Sequence, residues 1–197
     1  MASASTDLQL SKRSDDPRGL RAFLRLGIVF FLVSLLVSPQ LSQAEENTLG
    51  ASTGKVISIE GRDVVIPRPG GWRNVAPGDS GVLALFRANR DRNAQIEVRA
   101  SSEIPTQRWD RYIRSFEQEL LSGGFQVHQS RIPRNYGGLR GTFVEYQLSV
   151  DGELYRLLVW HVHVWEHALV FAGFFRESRR DSYFDDFEEM LRTITWE

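Results

Sequence analysis

The densest concentration of reactive side chains in the 197 residues is the run His161-Val162-His163-Val164-Trp165-Glu166-His167. Its strict alternation predicts extended chain, on which His161 and His163 share one side at a spacing of roughly 6.6 Å. Two imidazoles so placed can converge on one Zn or Cu ion, with Glu166 or His167 supplying a third ligand from the following turn. Three uses of the run therefore stand side by side: a simple metal site, a metal-dependent hydrolase, and a pair of half-buried imidazoles at the end of a sheet held by ordinary hydrogen bonds. A hydrolase with two metal ions needs further ligands, and only His128 remains elsewhere. A simple metal site has its own difficulty, because the strand pairing derived below sets Arg140 opposite His163, and a fixed positive charge opposes a bound cation. No cofactor motif is legible.

Other candidates concern contact rather than reaction. Glu145 and Arg156 fall diagonally across a hairpin, with Gln147 opposite Arg156. A buried ion pair there would be costly, so the two mark either a wetter end of the sheet or a recognition patch. Glu145 alone specifies no reaction, since no partnered acid or nucleophile accompanies it. Trp72, Trp109, Trp165 and Trp196 cannot all fit a core of this size. Trp109 falls on a helical stripe and Trp72 anchors the loop that follows Pro67 and Pro69. Trp165, at a hairpin tip beside Glu166 and His167, is the foremost partner-contact residue, with Trp72, Glu145 and Arg156 as further members of such a surface. Gly70-Gly71 and Gly137-Gly138 read as turns, not as phosphate-cradling loops.

The elements that must position these groups follow from periodicity. Val56-Ile57-Ser58-Ile59 and Val64-Val65-Ile66 form a hairpin about Glu60-Gly61-Arg62-Asp63. Val82 to Phe86 is an apolar run suited to a strand covered on both sides. Ala94 to Ala100 alternates, Ile96 and Val98 inward and Gln95, Glu97 and Arg99 toward water, and the turn Asn89 to Asn93 makes the two antiparallel neighbours. Trp109, Ile113, Phe116 and Leu120 define an amphipathic helix over 106–121, started by Thr106 and stopped by Gly123-Gly124. A second helix over 181–194 carries Phe184, Phe187, Leu191 and Ile194 on one stripe, and Asp185, Asp186, Glu188 and Glu189 toward its positive end. Asp151-Gly152 is a two-residue turn that pairs Val150 with Glu153 and Val144 with Val159. A reversal centred on Glu166 pairs Val164 with Ala168 and His161 with Phe171. That register puts Leu169 and Phe171 beside the histidines and Val170, Ala172 and Phe174 beside Trp160. Both sides of the sheet are then apolar, which implies an α+β fold: an antiparallel sheet covered by helices on both faces, an α/β/α sandwich over residues 55–197.

Residues 1–44 read as a secretory signal peptide: a polar head over 1–20, Arg21 and Arg25, the apolar run Leu26 to Val37, and the small-residue exit Ser42-Gln43-Ala44. A run of about a dozen residues rises only about 18 Å as a helix, short of a bilayer core of about 30 Å. Cleavage after Ala44, followed by a polar linker over 45–54, is the expected outcome. An uncleaved membrane tether and an organelle-targeting leader are the other uses of such a segment. Residues 1–44 hold five basic and three acidic side chains, so their removal takes the formal charge from −1 to about −3. Nucleic acid is thereby disfavoured as a partner. The absence of cysteine excludes disulfides and a lipid anchor on an N-terminal Cys.

Taken in order, the extended segment ending in Pro67 to Trp72, the strand pair from Val82 to Ala100, the helix over 106–121, the meander from Gly141 to Phe175 and the closing helix with Phe184, Phe187, Leu191 and Ile194 resemble the PsbP-like fold family. Its members include the photosystem II extrinsic subunit PsbP and bacterial envelope proteins of the DcrB type. The resemblance covers essentially the whole of residues 55–197, rests on the order and spacing of elements, and involves no catalytic signature. It implies a non-enzymatic module that docks on a protein or a membrane-associated assembly; with the leader read above, the expectation is an exported, periplasmic binding module, and which small molecule, if any, it takes is not implied.

Overall fold

The computed structural model describes residues 54–78 and 81–196, so the expected leader and all but the last residue of the linker lie outside the described residues. Four hairpins with two-residue turns set the topology. β1 (Lys55–Ile59) and β2 (Arg62–Ile66) reverse at Glu60-Gly61, β6 (Gln126–Tyr136) and β7 (Leu139–Val150) at Gly137-Gly138, β7 and β8 (Glu153–Val164) at Asp151-Gly152, and β8 and β9 (His167–Arg176) at Trp165-Glu166. All eight turn residues have positive φ, the backbone shape that matches a two-residue connection to the twist of its strands. With β3 (Trp72–Asn74), β4 (Val82–Ala88) and β5 (Gln95–Glu103), these strands make a seven-stranded antiparallel sheet in the order β3-β4-β5-β9-β8-β7-β6. A second sheet, β1-β2-β10, takes its last strand from Thr195–Trp196. Two helices, α1 (Trp109–Ser122) and α2 (Arg180–Arg192), each follow a single 3-10 turn. The architecture is α+β.

Strand pairing sorts the large sheet's side chains into two rows. One runs Phe143, Trp160, Phe171, Val98, and the next runs Val144, Val159, Ala172, Glu97. The first row belongs to a buried cluster that takes Phe187, Met190 and Leu191 from α2 and Ile57, Ile59, Val64 and Ile66 from the small sheet. The second, apart from Glu97, belongs to a separate cluster that takes Tyr112, Ile113 and Leu120 from α1. Trp160 is wholly buried, and truncating so large a side chain typically costs about 3–5 kcal/mol. Its seat explains Gly141, where an added Cβ would collide with Trp160 Nε1 and the His161 carbonyl oxygen.

The structure corrects several sequence expectations. Val164 pairs with His167, His163 with Ala168 and His161 with Val170, so the second hairpin is one residue tighter than a reversal centred on Glu166. A one-residue slip moves a whole strand's side chains across the sheet. Ala168, Val170, Ala172 and Phe174 therefore lie with the α1 cluster, and Leu169, Phe171 and Phe175 with the α2 cluster. Gln95 and Glu97 are buried instead of solvated, whereas Val82 and Leu83, expected to be covered on both sides, are half-buried. Thr106 lies in the 3-10 turn ahead of α1, where no side chain caps the helix.

Candidate functional site

The histidine run occupies the last turns of β8 and the tip that follows it. Alternation holds: His161 and His163 stand with the α1 cluster. α1 and the sheet close over His161 to 0% exposure, with the Phe116 ring edge-on at 4.6 Å and Tyr112 at 6.1 Å. Among the described residues neither ring nitrogen of His161 has a hydrogen-bond partner. Burial, reinforced by the positive charge of Arg131, pulls its pKa down to about 3, so the imidazole is neutral at ordinary pH. His163 is held differently, for its Nε2 lies 2.6 Å from the Ile104 carbonyl oxygen and its ring 5.2 Å from Trp109. A carbonyl only accepts, so Nε2 carries the proton.

His167 binds the first hairpin instead of its neighbours in sequence. Nδ1 lies 3.1 Å from the Ser101 carbonyl oxygen and Nε2 3.1 Å from the Glu60 carboxylate. Partial burial works against its proton, but Ser101, Glu60 and Glu103 outweigh it and raise the pKa. Glu166 is exposed at the turn. The four residues with metal-ligand chemistry thus sit in separate settings, and among the described residues no three His, Asp or Glu side chains gather as a ligand set.

Trp165 is the centre of a different grouping. Its ring meets Trp196 of β10 edge-on at 6.3 Å, and the Arg62 guanidinium lies over it at 5.0 Å. Three tips of different hairpins approach one another here: Arg62 flanks Glu60-Gly61, Trp196 touches the seat of Gly137, and Trp165-Glu166 joins β8 to β9. The arrangement presents two half-buried indoles, a guanidinium and the exposed carboxylates of Glu60 and Glu166. That mixture suits a contact surface, since Trp and Arg carry most binding energy where they are found. Sequence reading singled out Trp165 but placed neither Arg62 nor Trp196 beside it, because both arrive from distant strands.

Glu145 and Arg156 belong to neither of the settings expected for them. Glu145 is 1% exposed and takes a two-pronged bond from Arg180 of α2, Nε to Oε1 at 2.9 Å and Nη2 to Oε2 at 3.1 Å. Arg156 is also buried, bonds Glu177 through Nε and Nη2, and lies 3.8 Å from Glu145. That contact holds the Glu177 carboxyl below its usual range. The four alternating charges fasten the start of α2 to the sheet. Trp72 is likewise interior, 3% exposed, donating from Nε1 to Asp186 at 2.8 Å and packing edge-on against Tyr183. It is a seat for α2, not a surface residue.

No family model and no curated protein matches the chain. Solved structures do. LpqN, described as involved in cell envelope biogenesis of Mycobacterium tuberculosis, superposes with a TM-score of 0.54 at 16% identity, over 68% of this chain and 83% of its own. The cyanobacterial PsbP, CyanoP, from Synechocystis superposes with a TM-score of 0.53 at 19% identity, over 79% of this chain and 98% of its own. At such identities the likeness is one of fold.

Proposed function

From a chain that has the PsbP-like fold, we propose an exported, non-enzymatic binding or assembly module of the cell envelope that meets a protein or membrane-associated partner through its Trp165 end. Export rests on the leader read from residues 1–44, and envelope placement, most simply periplasmic, is supported by the likeness to LpqN. No helix of the described residues is long and apolar enough to cross a membrane. A membrane hold would fall to the apolar run over 26–37 if it is retained. In this reading α1 and α2 clad the two sides of the sheet, a view supported by the two separate buried clusters, and only tips and edges are left for contact.

One observation carries the choice of surface. Of the four two-residue turns, three contain glycine, and only Trp165-Glu166 places two ordinary side chains at positive φ, 49° and 61°. Non-glycine residues in that region are strained, and Asn-Gly or Asp-Gly would fold the hairpin better. A tryptophan kept there at a cost to folding is best explained by contact. The test is a photo-reactive amino acid placed at Glu166 or, at the opposite end, at Asp151, in cells producing the full chain. A discrete cross-linked adduct is expected from position 166 alone, weakened by Trp165→Asn. Equal adducts from both positions, or none from 166, would sink the proposal.

A further inference from the structure

At the far edge of the large sheet, Arg73 of β3 and Arg87 of β4 are direct register partners. Their neighbours Trp72, Phe86 and Ala88 lie in the α2 cluster, so by alternation both arginines stand on the opposite side of the sheet. Arg87 faces Gln95 of β5, and Gln95 faces Phe174 of β9, which gives a row Arg73, Arg87, Gln95, Phe174. Like charges directly opposite one another destabilise a sheet, and among the described residues neither arginine has an ion-pair partner. Arg87 Nε is buried with no hydrogen-bond partner. Gln95 beside it is 6% exposed. Glu97, on this side of the sheet, is diagonal to Arg87 and engaged by Arg99. Exposed Arg90 and Arg92 follow in the β4–β5 reversal, where Asp91 accepts from the Asn93 amide.

We propose that this row is an oxyanion site for a phosphate-type group, either free phosphate or the headgroup of an anionic lipid. Two guanidinium groups offer planar forks of donors that fit such a group, and the Gln95 amide adds a neutral donor beside them. A bound dianion would also cancel the repulsion of the cross-strand pair. Charges on an edge strand can serve merely to block edge-to-edge pairing. That use accounts for exposed Arg73, but not for a buried Nε on Arg87 that has no hydrogen-bond partner. The site lies away from the Trp165 end and stands or falls independently of the partner-docking reading.

Arginine Nε–H resonances of the full chain, titrated with inorganic phosphate, and co-sedimentation with phosphatidylcholine vesicles with or without phosphatidylglycerol provide the test. The Arg73→Gln/Arg87→Gln chain is compared with Arg134→Gln/Arg140→Gln, which removes the same charge at the opposite edge. Any affinity of the apolar leader for vesicles is common to both and cancels. A saturable shift of the Arg87 Nε–H in the parent, kept in the second variant, together with a calorimetric phosphate affinity at least tenfold weaker in the first variant, is the expected result. If phosphate competes with glycerol-lipid vesicles for the site, the source is a headgroup; if phosphate binds and vesicles do not, it is a soluble ligand. No saturable shift together with vesicle binding that responds equally to the two variants would leave the row as edge protection and overturn the site. The melting temperature of the first variant should be equal or higher, since a like-charge contact is removed. A fall would mean that the arginines hold the sheet together instead.

Discussion

His161 shows what a single enclosed side chain does to the pH response of a fold. Its imidazole takes a proton near pH 6.5 when unfolded but only near 3 when folded. Between those values the unfolded chain holds more protons, so stability is complete above about pH 6.5 and falls on acidification by up to about 1.4 kcal/mol per unit. His167, whose pKa is raised, works in the opposite sense and loses its contribution as pH increases. Urea melts from pH 7 to 4 should therefore show a shallower decline in a His161→Leu chain than in the parent; parallel curves would mean that the buried ring does not govern the response. That the two histidines share a side was legible from alternation alone. How deeply each is buried was not, because the rings over His161, Phe116 and Tyr112, come from α1, far away in sequence. Glu145 and Arg156 teach the same lesson, for their mutual placement followed from the Asp151-Gly152 turn while their true partners, Arg180 and Glu177, arrive on another element.

α2 is held by directional bonds as much as by its apolar stripe. Arg180 to Glu145, Asp186 to Trp72, and Glu188 to the Tyr136 hydroxyl at 2.6 Å flank its apolar stripe on both sides, and Glu177 to Arg156 holds the turn before it. Leaving a buried carboxylate without its partner commonly costs about 3–5 kcal/mol. Arg180→Met should therefore destabilise the protein by about 3 kcal/mol, the lower end, because Arg180 is itself partly exposed and Arg156 remains near Glu145. Amide exchange should quicken first over residues 177–183, and a loss below 1 kcal/mol with unchanged exchange would refute the latch. Among the strands, β7 and β8 declared their register in sequence through Asp151-Gly152, whereas the reversal between β1 and β2, expected over Glu60 to Asp63, takes only Glu60-Gly61. The β8–β9 hairpin did not, because its turn lacks the glycine that marks the others. β6 escaped notice altogether: eleven residues, nearly all exposed and interrupted by Pro133, give no apolar period to read.

At the scale of the molecule, two sheets are joined by segments far apart in the chain. β10 adds to β2 through Thr195 opposite Val65 and Trp196 opposite Val64, and Ile194 just before it is buried. Removing residues 194–197 should cost about 2–5 kcal/mol, the range for losing a large buried aliphatic side chain, and should shift Trp165 fluorescence to the red as its edge-on neighbour disappears. A truncated chain with unaltered melting and emission would show that β10 is ornamental. The overall class, α+β with a central antiparallel sheet, was readable from periods of two and of three to four residues, whereas the small second sheet was not, since two residues of strand leave no pattern.

The joining of β2 to β10 also sets an order of events. A chain made from its N-terminal end supplies β1 and β2 early, yet their third strand follows every other described strand and helix. Contacts of such long sequence separation form late and leave apolar strand exposed in the interval. Until β10 arrives, the outer edge of β2 stays open, so the closing of the small sheet doubles as a signal that the intervening fold is in place.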